Sequence, residues 1–194
     1  MRVIAGEFRG RNLLAPASDV TRPVTDRVKQ SVFDILSPYM DDAVVYDCFA
    51  GTGSMGLECL SRGASHATFF EADRSAVERL RRNIGTLKVE ARSTVVSTDL
   101  FKWFITARRP GTRPADLIFL DPPYRFLNER PEELRRLAES MATRHLAPEG
   151  LVIFRHDAKD SLALPALQVK DIREYGSMTV ELLGLPTNAD AAAQ

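Results

Sequence analysis

The feature that most constrains this chain is residues 44–58, where a short apolar run leads into closely spaced glycines and then into helix-favouring residues. The valines and tyrosine of residues 44–46 fit a strand covered on both faces. Gly51 and Gly53 let the backbone turn sharply and come close to a ligand. A helix beginning at Ser54 would point its N–H groups and positive dipole end into that turn. The stretch predicts a site for a nucleotide-like ligand at the carboxyl end of a strand.

The glycine spacing by itself fits more than one interpretation. Gly51-x-Gly53-x-x-Gly56 matches a dinucleotide fingerprint, and Glu71 follows at the expected distance of about 20 residues. A tight strand-to-helix turn that binds nothing would give the same pattern. A nicotinamide dinucleotide would gain from a cation near its pyrophosphate, and residues 47–58 contain neither Lys nor Arg.

The length of 194 residues predicts one main domain with a real hydrophobic core. We expect an extension at residues 1–24, the main domain at 25–186, and a polar, alanine-rich, disordered tail at 187–194. No apolar run is long enough to span a membrane, and the charged N-terminus lacks a signal-peptide core. These features predict a cytoplasmic protein.

The cysteines and histidines predict no metal site. Cys48 and Cys59 do not form a CxxC pair, so we expect both to be reduced packing residues. His66, His145 and His156 are scattered without ligand spacing and are expected at the surface or at its rim.

Strands and helices alternate from residue 44 onward. Apolar runs predict further strands at residues 67–70, 93–97, 116–120 and 151–155, with helical patterns between most of them. Residues 166–174 and 178–184 are expected to form an antiparallel pair that closes the sheet. The pattern predicts an α/β fold with a mostly parallel sheet and helices on both faces.

Acidic residues stand where four of these strands end. Because right-handed crossovers bring the carboxyl ends of parallel strands to one edge, Asp47, Glu71, Asp99 and Asp121 are expected along one groove. Glu71 would accept from ribose hydroxyls, Asp99 from an adenine amino group, and Asp47 would interact with an ammonium group. S-adenosylmethionine carries all three features.

Asp121-Pro122-Pro123-Tyr124 is the more specific signal. Two prolines fix the backbone after a buried strand and remove two N–H donors, so carbonyls and the Asp121 carboxylate remain as acceptors. Acceptors suit an exocyclic amine, and Tyr124 offers a flat face on which a base can stack. A rigid turn with a packed tyrosine is the purely structural alternative.

The N-terminal residues are basic. Through Lys29 the chain has six basic and three acidic residues, which favours contact with RNA phosphates although the net charge of the chain is zero. Short apolar runs and glycines predict a small β-hairpin over residues 1–15. Thr25 is the expected N-cap of a helix that ends near Leu36.

Asp-Pro-Pro-Tyr resembles the motif of class I methyltransferases that modify amino or amide nitrogens. Three further segments extend the likeness: Arg2-Val3-Ile4-Ala5-Gly6-Glu7-Phe8-Arg9-Gly10-Arg11, Arg22-Pro23-Val24-Thr25-Asp26-Arg27-Val28 and Asp47-Cys48-Phe49-Ala50-Gly51-Thr52-Gly53. Together they resemble the bacterial 16S ribosomal RNA guanine-N2 methyltransferases of the RsmD type, in the same order over about residues 1–184.

The resemblance implies a Rossmann-like fold with a seven-stranded sheet, S-adenosylmethionine as cofactor, and a guanine of small-subunit rRNA as substrate, presented in an assembling 30S particle. We expect the enzyme to be a monomer. It implies three groups of site residues. The cofactor site would comprise Asp47, Phe49, Gly51, Gly53, Glu71 and Asp99. The catalytic motif would comprise Asp121, Pro122, Pro123 and Tyr124, and RNA would contact Arg9, Arg11, Arg22, Thr25, Arg27 and Tyr124.

Other functions fit parts of the pattern. A methyltransferase acting on DNA adenine or protein glutamine would more often carry asparagine at position 121. A NAD-dependent oxidoreductase explains the glycines but not the Asp-Pro-Pro-Tyr motif. A ribosome-assembly factor without catalytic activity would have no need of the acidic edge.

Overall fold

The computed structural model describes residues 1–16, 25–105 and 113–186. The chain divides into two compact units, Met1–Leu100 and Phe101–Gln194. Residues 17–24 of the predicted extension and the predicted tail at 187–194 lie outside the described residues. The predicted division into extension, main domain and tail stays a prediction.

The first unit opens with residues 1–16, which we call the N-terminal segment. It folds back on itself through one antiparallel bridge, Arg2↔Asn12, flanked by hydrogen bonds such as Val3 N to the Arg11 carbonyl (3.0 Å). The predicted hairpin is therefore reduced to a single bridge. Helix α1 (Asp26–Ile35) follows, and Thr25 Oγ1 caps it by accepting from Val28 N at 3.4 Å, as predicted.

Three parallel strands form the sheet of the first unit. They are β1 (Val44–Cys48), β2 (His66–Phe70) and β3 (Ser93–Val96), in the order β3-β2-β1. Helices α2 (Ser54–Ser61) and α3 (Arg74–Leu87) are the crossovers between them. Phe69 and Phe70 of β2 are at most 1% exposed, and burying such side chains stabilises a fold by about 1.5–3 kcal/mol each.

The described residues of the second unit form four strands with mixed directions. Strand β4 (Ala115–Leu120) pairs in parallel with β5 (Leu146–Asp157), and β6 (Gln168–Tyr175) and β7 (Met178–Gly184) complete the order β4-β5-β7-β6. Strand β7 is antiparallel to both of its neighbours. The predicted antiparallel C-terminal pair is confirmed.

Helices α4 (Leu100–Ile105), α5 (Phe126–Glu129) and α6 (Pro131–Ser140) complete the fold, and a π-turn, Met141–His145, extends α6. Strand β5 begins earlier than predicted because Leu146 pairs with Ala115 before the register shifts at the bulge that follows. The described residues contain no helix with the length and apolar character that a membrane crossing requires.

A helix cap and the burial of two histidines are seen only in the structure. Helix α3 is capped by Asp73, whose carboxylate accepts from Ala76 N at 2.8 Å. His145 and His156 are 1% and 3% exposed and are not surface residues. Glu181, the partner of His156, was not predictable from local sequence, because the two residues meet across β5 and β7.

Candidate active site

The glycine loop, residues 49–53, leaves β1 with a strained backbone. Phe49, Gly51 and Gly53 all have positive φ, at 61°, 55° and 85°. A left-handed phenylalanine is uncommon, and such strain clusters at functional sites. A Cβ added at Gly51 would meet no atom within 4 Å, whereas one at Gly53 would lie 2.4 Å from Leu80 Cδ1. Gly53 therefore packs on α3, and Gly51 leaves open space beside the loop.

Glu71 directly follows β2 and contacts the glycine loop. One carboxylate oxygen accepts from Gly51 N at 2.8 Å, and the other accepts from Asp73 N at 2.8 Å. Each carboxylate oxygen has a second lone pair, so both remain able to accept from a hydroxyl pair. Glu71 is only half-buried. These contacts fit the predicted role toward a ribose.

Asp47 has a structural partner in the same unit. It is 2% exposed, and its Oδ2 accepts from Gly56 N, in the first turn of α2, at 2.8 Å. A negative charge at a helix N-terminus is favourable. Gly56 is needed for packing, because an added Cβ would lie 2.4 Å from Phe69 Cε1. The predicted cofactor role of Asp47 stays a prediction. The burial of its side chain favours an indirect role over direct contact with the cofactor.

Asp99 is the third residue of the first unit among the acidic residues predicted at strand ends. It is half-buried and immediately precedes α4, after β3. Strands β1, β2 and β3 are adjacent and parallel, so Asp47, Glu71 and Asp99 all lie at the same edge of this sheet, as the alternation predicted.

In the second unit, Asp121 directly follows β4 and is bound by Arg155 of the neighbouring strand β5. Arg155 Nε donates to Asp121 Oδ1 at 2.7 Å, and its Nη2 donates to Oδ2. The side chains are 17% and 21% exposed. Leu120 pairs with Phe154 in the sheet, which places the next residues of both strands side by side. Sequence reasoning missed Arg155, whose only signal was a charge directly after an apolar run.

The rest of the motif forms a rigid turn into α5. Pro122 is buried, and Pro123 and Tyr124 are half-buried. The Pro123 carbonyl accepts from Phe126 N at 2.8 Å, and the Tyr124 carbonyl accepts from Leu127 N at 3.2 Å. The turn therefore fixes the backbone next to Asp121, as two prolines predict.

The predicted RNA-contacting residues fall into different settings. Arg9 and Arg11 are exposed on the N-terminal segment, and Arg27 is exposed on α1. Thr25 caps α1. Arg22 lies outside the described residues. The basic excess at the N-terminus is smaller than the sequence suggested, because Lys29 is 2% exposed and belongs to the buried face of α1.

Lys29 forms a buried ion pair that sequence reasoning also missed. Its Nζ lies 2.9 Å from Glu58 Oε2, and Arg62 Nε lies 2.9 Å from Glu58 Oε1. Burial raises the pKa of Glu58, but the Lys29 charge, the Ile4 amide and the side-chain hydrogen bonds together bring it below its usual range. The signal was its spacing, since Lys29 stands three and four residues before Val32 and Phe33.

The described part of the chain contains no group of His, Cys, Asp and Glu side chains that could hold a metal ion. Cys48 and Cys59 are buried free thiols, as predicted. Burial raises the pKa of both thiols well above their usual value, and nearby carboxylates add to the effect. Neither thiol is suited to nucleophilic chemistry.

Comparison with known proteins identifies the family and supports the fold. The family model described as "Conserved hypothetical protein 95" matches residues 1–184. The ribosomal RNA small subunit methyltransferase D of Escherichia coli K12 is 38% identical over 162 residues, which cover 84% of this chain and 77% of that protein. Its counterpart from Haemophilus influenzae is 36% identical over 166 residues, covering 85% and 83%.

Solved structures give the same result. The E. coli protein yhhF superposes with a TM-score of 0.81 at 33% identity, covering 95% of this chain and 97% of that chain. The predicted fold, a mostly parallel seven-stranded Rossmann-like sheet with antiparallel C-terminal strands, is confirmed.

The fold, the glycine loop and the acidic strand ends define a class I methyltransferase, and its cofactor is S-adenosylmethionine. Within that class, the chain belongs to the Conserved hypothetical protein 95 family, which is the RsmD family that its N-terminal and glycine motifs resemble. The open space at Gly51 and the free lone pairs of Glu71 fit the cofactor. Membership of a methyltransferase family leaves the NAD-dependent alternative without support.

Proposed function

We propose that this protein transfers a methyl group to the exocyclic N2 amine of one guanine in small-subunit rRNA, within an assembling 30S particle. The observation that carries the proposal is Asp121, an acceptor fixed by Arg155 at the start of Asp-Pro-Pro-Tyr. The relatives' name, ribosomal RNA small subunit methyltransferase D, supports the choice of RNA. Such an enzyme would act in the cytoplasm, and we expect it to act as a monomer.

The cofactor would be held by the first unit. Glu71 would accept from the ribose hydroxyls, Asp99 from the adenine amino group, and the loop at Gly51 and Gly53 would allow close backbone approach. An RNA methyltransferase from Salinibacter ruber with a comparable fold, TM-score 0.64 at 17% identity, was solved with S-adenosyl-L-homocysteine. S-adenosylmethionine supplies an activated methyl group, so the protein needs no strong general base.

The chain's own contribution is orientation of the amine. A guanine amine is a poor nucleophile, because its lone pair is delocalised into the ring. Donation of its two N–H groups to the Asp121 carboxylate and the Pro122 carbonyl would turn that lone pair toward the methyl group. Positioning and electrostatic stabilisation of developing positive charge are the sources of rate.

The target base has to leave its stack to reach such a site. Tyr124 stands half-buried on the rigid turn, which fixes its backbone, and its ring would serve as the stacking face for the base. Arg9, Arg11 and Arg27 are exposed and would contact phosphates, which position RNA without reading its sequence.

The test is methyl transfer to small-subunit particles from a strain that lacks this enzyme, followed by nucleoside analysis. We expect N2-methylguanosine in the rRNA with the wild-type protein, and a rate lowered about a hundred- to a thousandfold with Asp121→Ala. Methylated adenine, or no methylated nucleoside despite normal cofactor binding, would overturn the proposal. Naked rRNA in parallel reveals whether the particle is required.

The RNA role of the N-terminus needs charge substitutions rather than a deletion. Removing residues 1–15 would take away the Ile4 and Ala5 amides that bind buried Glu58. Arg9→Glu with Arg11→Glu keeps that backbone intact. We expect weaker particle binding with a smaller salt dependence, and unchanged cofactor affinity.

A further inference from the structure

A buried side chain connects the N-terminal segment to the glycine loop. Asn83 of α3 is 1% exposed. Its Oδ1 accepts from Leu14 N at 2.8 Å, and its Nδ2 donates to the carbonyls of Thr52 at 2.9 Å and Leu14 at 3.3 Å. The carboxamide thus uses its acceptor and its donors to join the end of the segment to the residue between the two loop glycines.

A second connection begins at the other end of the segment. The amides of Ile4 and Ala5 donate to the Glu58 carboxylate at 2.9 and 3.0 Å, and Glu58 is completely buried. Lys29 Nζ lies 2.9 Å from the same carboxylate and donates to Ser54 Oγ at 3.2 Å. Ser54 is the first residue of α2, directly after the loop.

The two connections end on either side of Gly53. Thr52 is held through Asn83, and Ser54 is held through Lys29. Gly53 lies between them with φ 85°. Glycine adopts this conformation at no steric cost, but it also leaves it readily. The shape of the loop therefore depends on contacts that hold its flanking residues, and those contacts are shared with the N-terminal segment.

We propose that Asn83 and Lys29 are positioning residues for the cofactor loop, and that docking of the N-terminal segment and binding of the cofactor stabilise each other. The inference rests on the proposed placement of the cofactor at this loop. Coupling of two binding events is reciprocal, so a segment that favours the ligand-ready loop is itself held more firmly when the ligand is bound. RNA that engages the segment would then meet a loop already shaped for the cofactor.

The alternative is that the segment only covers hydrophobic surface. If the segment were only such a cover, disturbing it would lower the free energy of unfolding. The affinity of the folded protein for a ligand at the loop would not change. The two hypotheses therefore predict different cofactor affinities for variants that remain folded.

Leu14 offers a matched pair for this measurement, because its link to Asn83 uses the backbone and its side chain is 44% exposed. Leu14→Pro removes the amide donor, whereas Leu14→Ala retains it. In calorimetric titrations with S-adenosylhomocysteine, we expect Leu14→Pro to weaken binding about tenfold and Leu14→Ala to match wild type. Combined with Asn83→Ala, which should weaken binding similarly, Leu14→Pro should add little, because both changes break one connection.

Equal affinities for folded Leu14→Pro and Leu14→Ala would overturn the coupling. If Leu14→Pro does not fold, hydrogen exchange on wild-type protein decides. Saturating S-adenosylhomocysteine should slow exchange of the Ile4, Ala5 and Leu14 amides, and unchanged exchange there would overturn the inference. Wild-type protein that fails to bind S-adenosylhomocysteine would instead refute the proposed cofactor site.

Discussion

Arg155 binds both carboxylate oxygens of Asp121, with Nε donating to Oδ1 at 2.7 Å and Nη2 donating to Oδ2. A planar guanidinium that donates along two parallel bonds fixes the rotation of a carboxylate, which a lysine does not. Arg155 Nη1 also lies 3.6 Å from Met178 Sδ, which helps to hold the guanidinium. The proposed amine acceptor is therefore held in one orientation by the adjacent strand.

This pair predicts that Arg155→Ala slows methyl transfer without affecting the cofactor. An Asp121 carboxylate that is free to rotate would align the amine poorly, so the single-turnover rate should fall about tenfold, less than for Asp121→Ala. Arg155→Lys should recover part of the rate, because it restores charge but not the second bond. Cofactor titrations serve as the control. A wild-type rate for Arg155→Ala would show that the motif orients the amine without this arginine.

A second prediction concerns Glu71, whose carboxylate joins Gly51 N to Asp73 N. Glu71→Ala should weaken S-adenosylmethionine binding by about 1–3 kcal/mol, because charge-assisted hydrogen bonds to the ribose and the loop are lost together. Thermal unfolding distinguishes a binding defect from a folding defect. Unchanged affinity in the folded variant would remove Glu71 from the cofactor site.

Much of the fold was predictable because its signals are local. The run at residues 44–46, the glycines after it and the apolar strand before Asp121 all lie within short windows, and each element formed near its predicted position. Glu71 and Asp99 follow strands in the sequence, so their place at one sheet edge follows from parallel pairing.

The contacts that the sequence did not reveal join residues that are far apart in the chain. Asn83 and Leu14 are 69 residues apart, and Arg155 and Asp121 are 34 apart. Taken alone in the sequence, Asn83 looks like an ordinary polar residue of a helix, and Arg155 looks like a charged residue that ends a strand. Only the packing of α3 on the N-terminal segment, and the register of β5 on β4, bring these partners together.

A third prediction concerns pH and the pair of buried His156 and half-buried Glu181, whose Nε2 and Oε1 atoms are 3.1 Å apart. Burial lowers the pKa of His156, but hydrogen bonds to Glu181 and to the Asp157 carbonyl, with the Glu181 charge, raise it above its ordinary 6.5. A raised pKa means that the pair stabilises the fold fully below pH 6.5 and that this contribution is lost as pH rises through the folded value.

His156→Gln should therefore have a lower free energy of unfolding than wild type, and this deficit should be larger at pH 6 than at pH 8.5. We expect the difference between the two pH values to be up to about 1 kcal/mol, which is typical of a single ion pair. Urea unfolding of both proteins at each pH gives the measurement. A deficit that is the same at both pH values would show that His156 contributes through packing alone.

A fourth prediction separates the ring of Tyr124 from its hydroxyl. Tyr124→Ala should weaken capture of the unstacked base by about 1–3 kcal/mol, the usual contribution of a base–aromatic stack. Tyr124→Phe retains the ring face and should retain most activity. Dependence of the single-turnover rate on particle concentration measures both. Equal losses for the two variants would assign the role to the hydroxyl.

The last prediction uses two glycines of the N-terminal segment that share one conformation. Gly6 and Gly10 both have φ 81°, so alanine at either position carries the same left-handed strain, about 1–2 kcal/mol. A Cβ at Gly6 would lie 1.8 Å from the Ser61 carbonyl oxygen, whereas one at Gly10 would meet nothing within 4 Å. Gly6 is also followed by Glu7, whose amide donates to that carbonyl at 2.7 Å.

Gly10→Ala should lower the melting temperature by about 2–8 °C, the shift that this strain produces in a protein of this size. Gly6→Ala should lower it at least twice as far, because the segment has to move off α2 and leave buried Glu58 without its amide donors. Limited proteolysis should cut the segment faster in Gly6→Ala alone. Equal melting temperatures for the two variants would mean that the segment accommodates the methyl group without leaving α2.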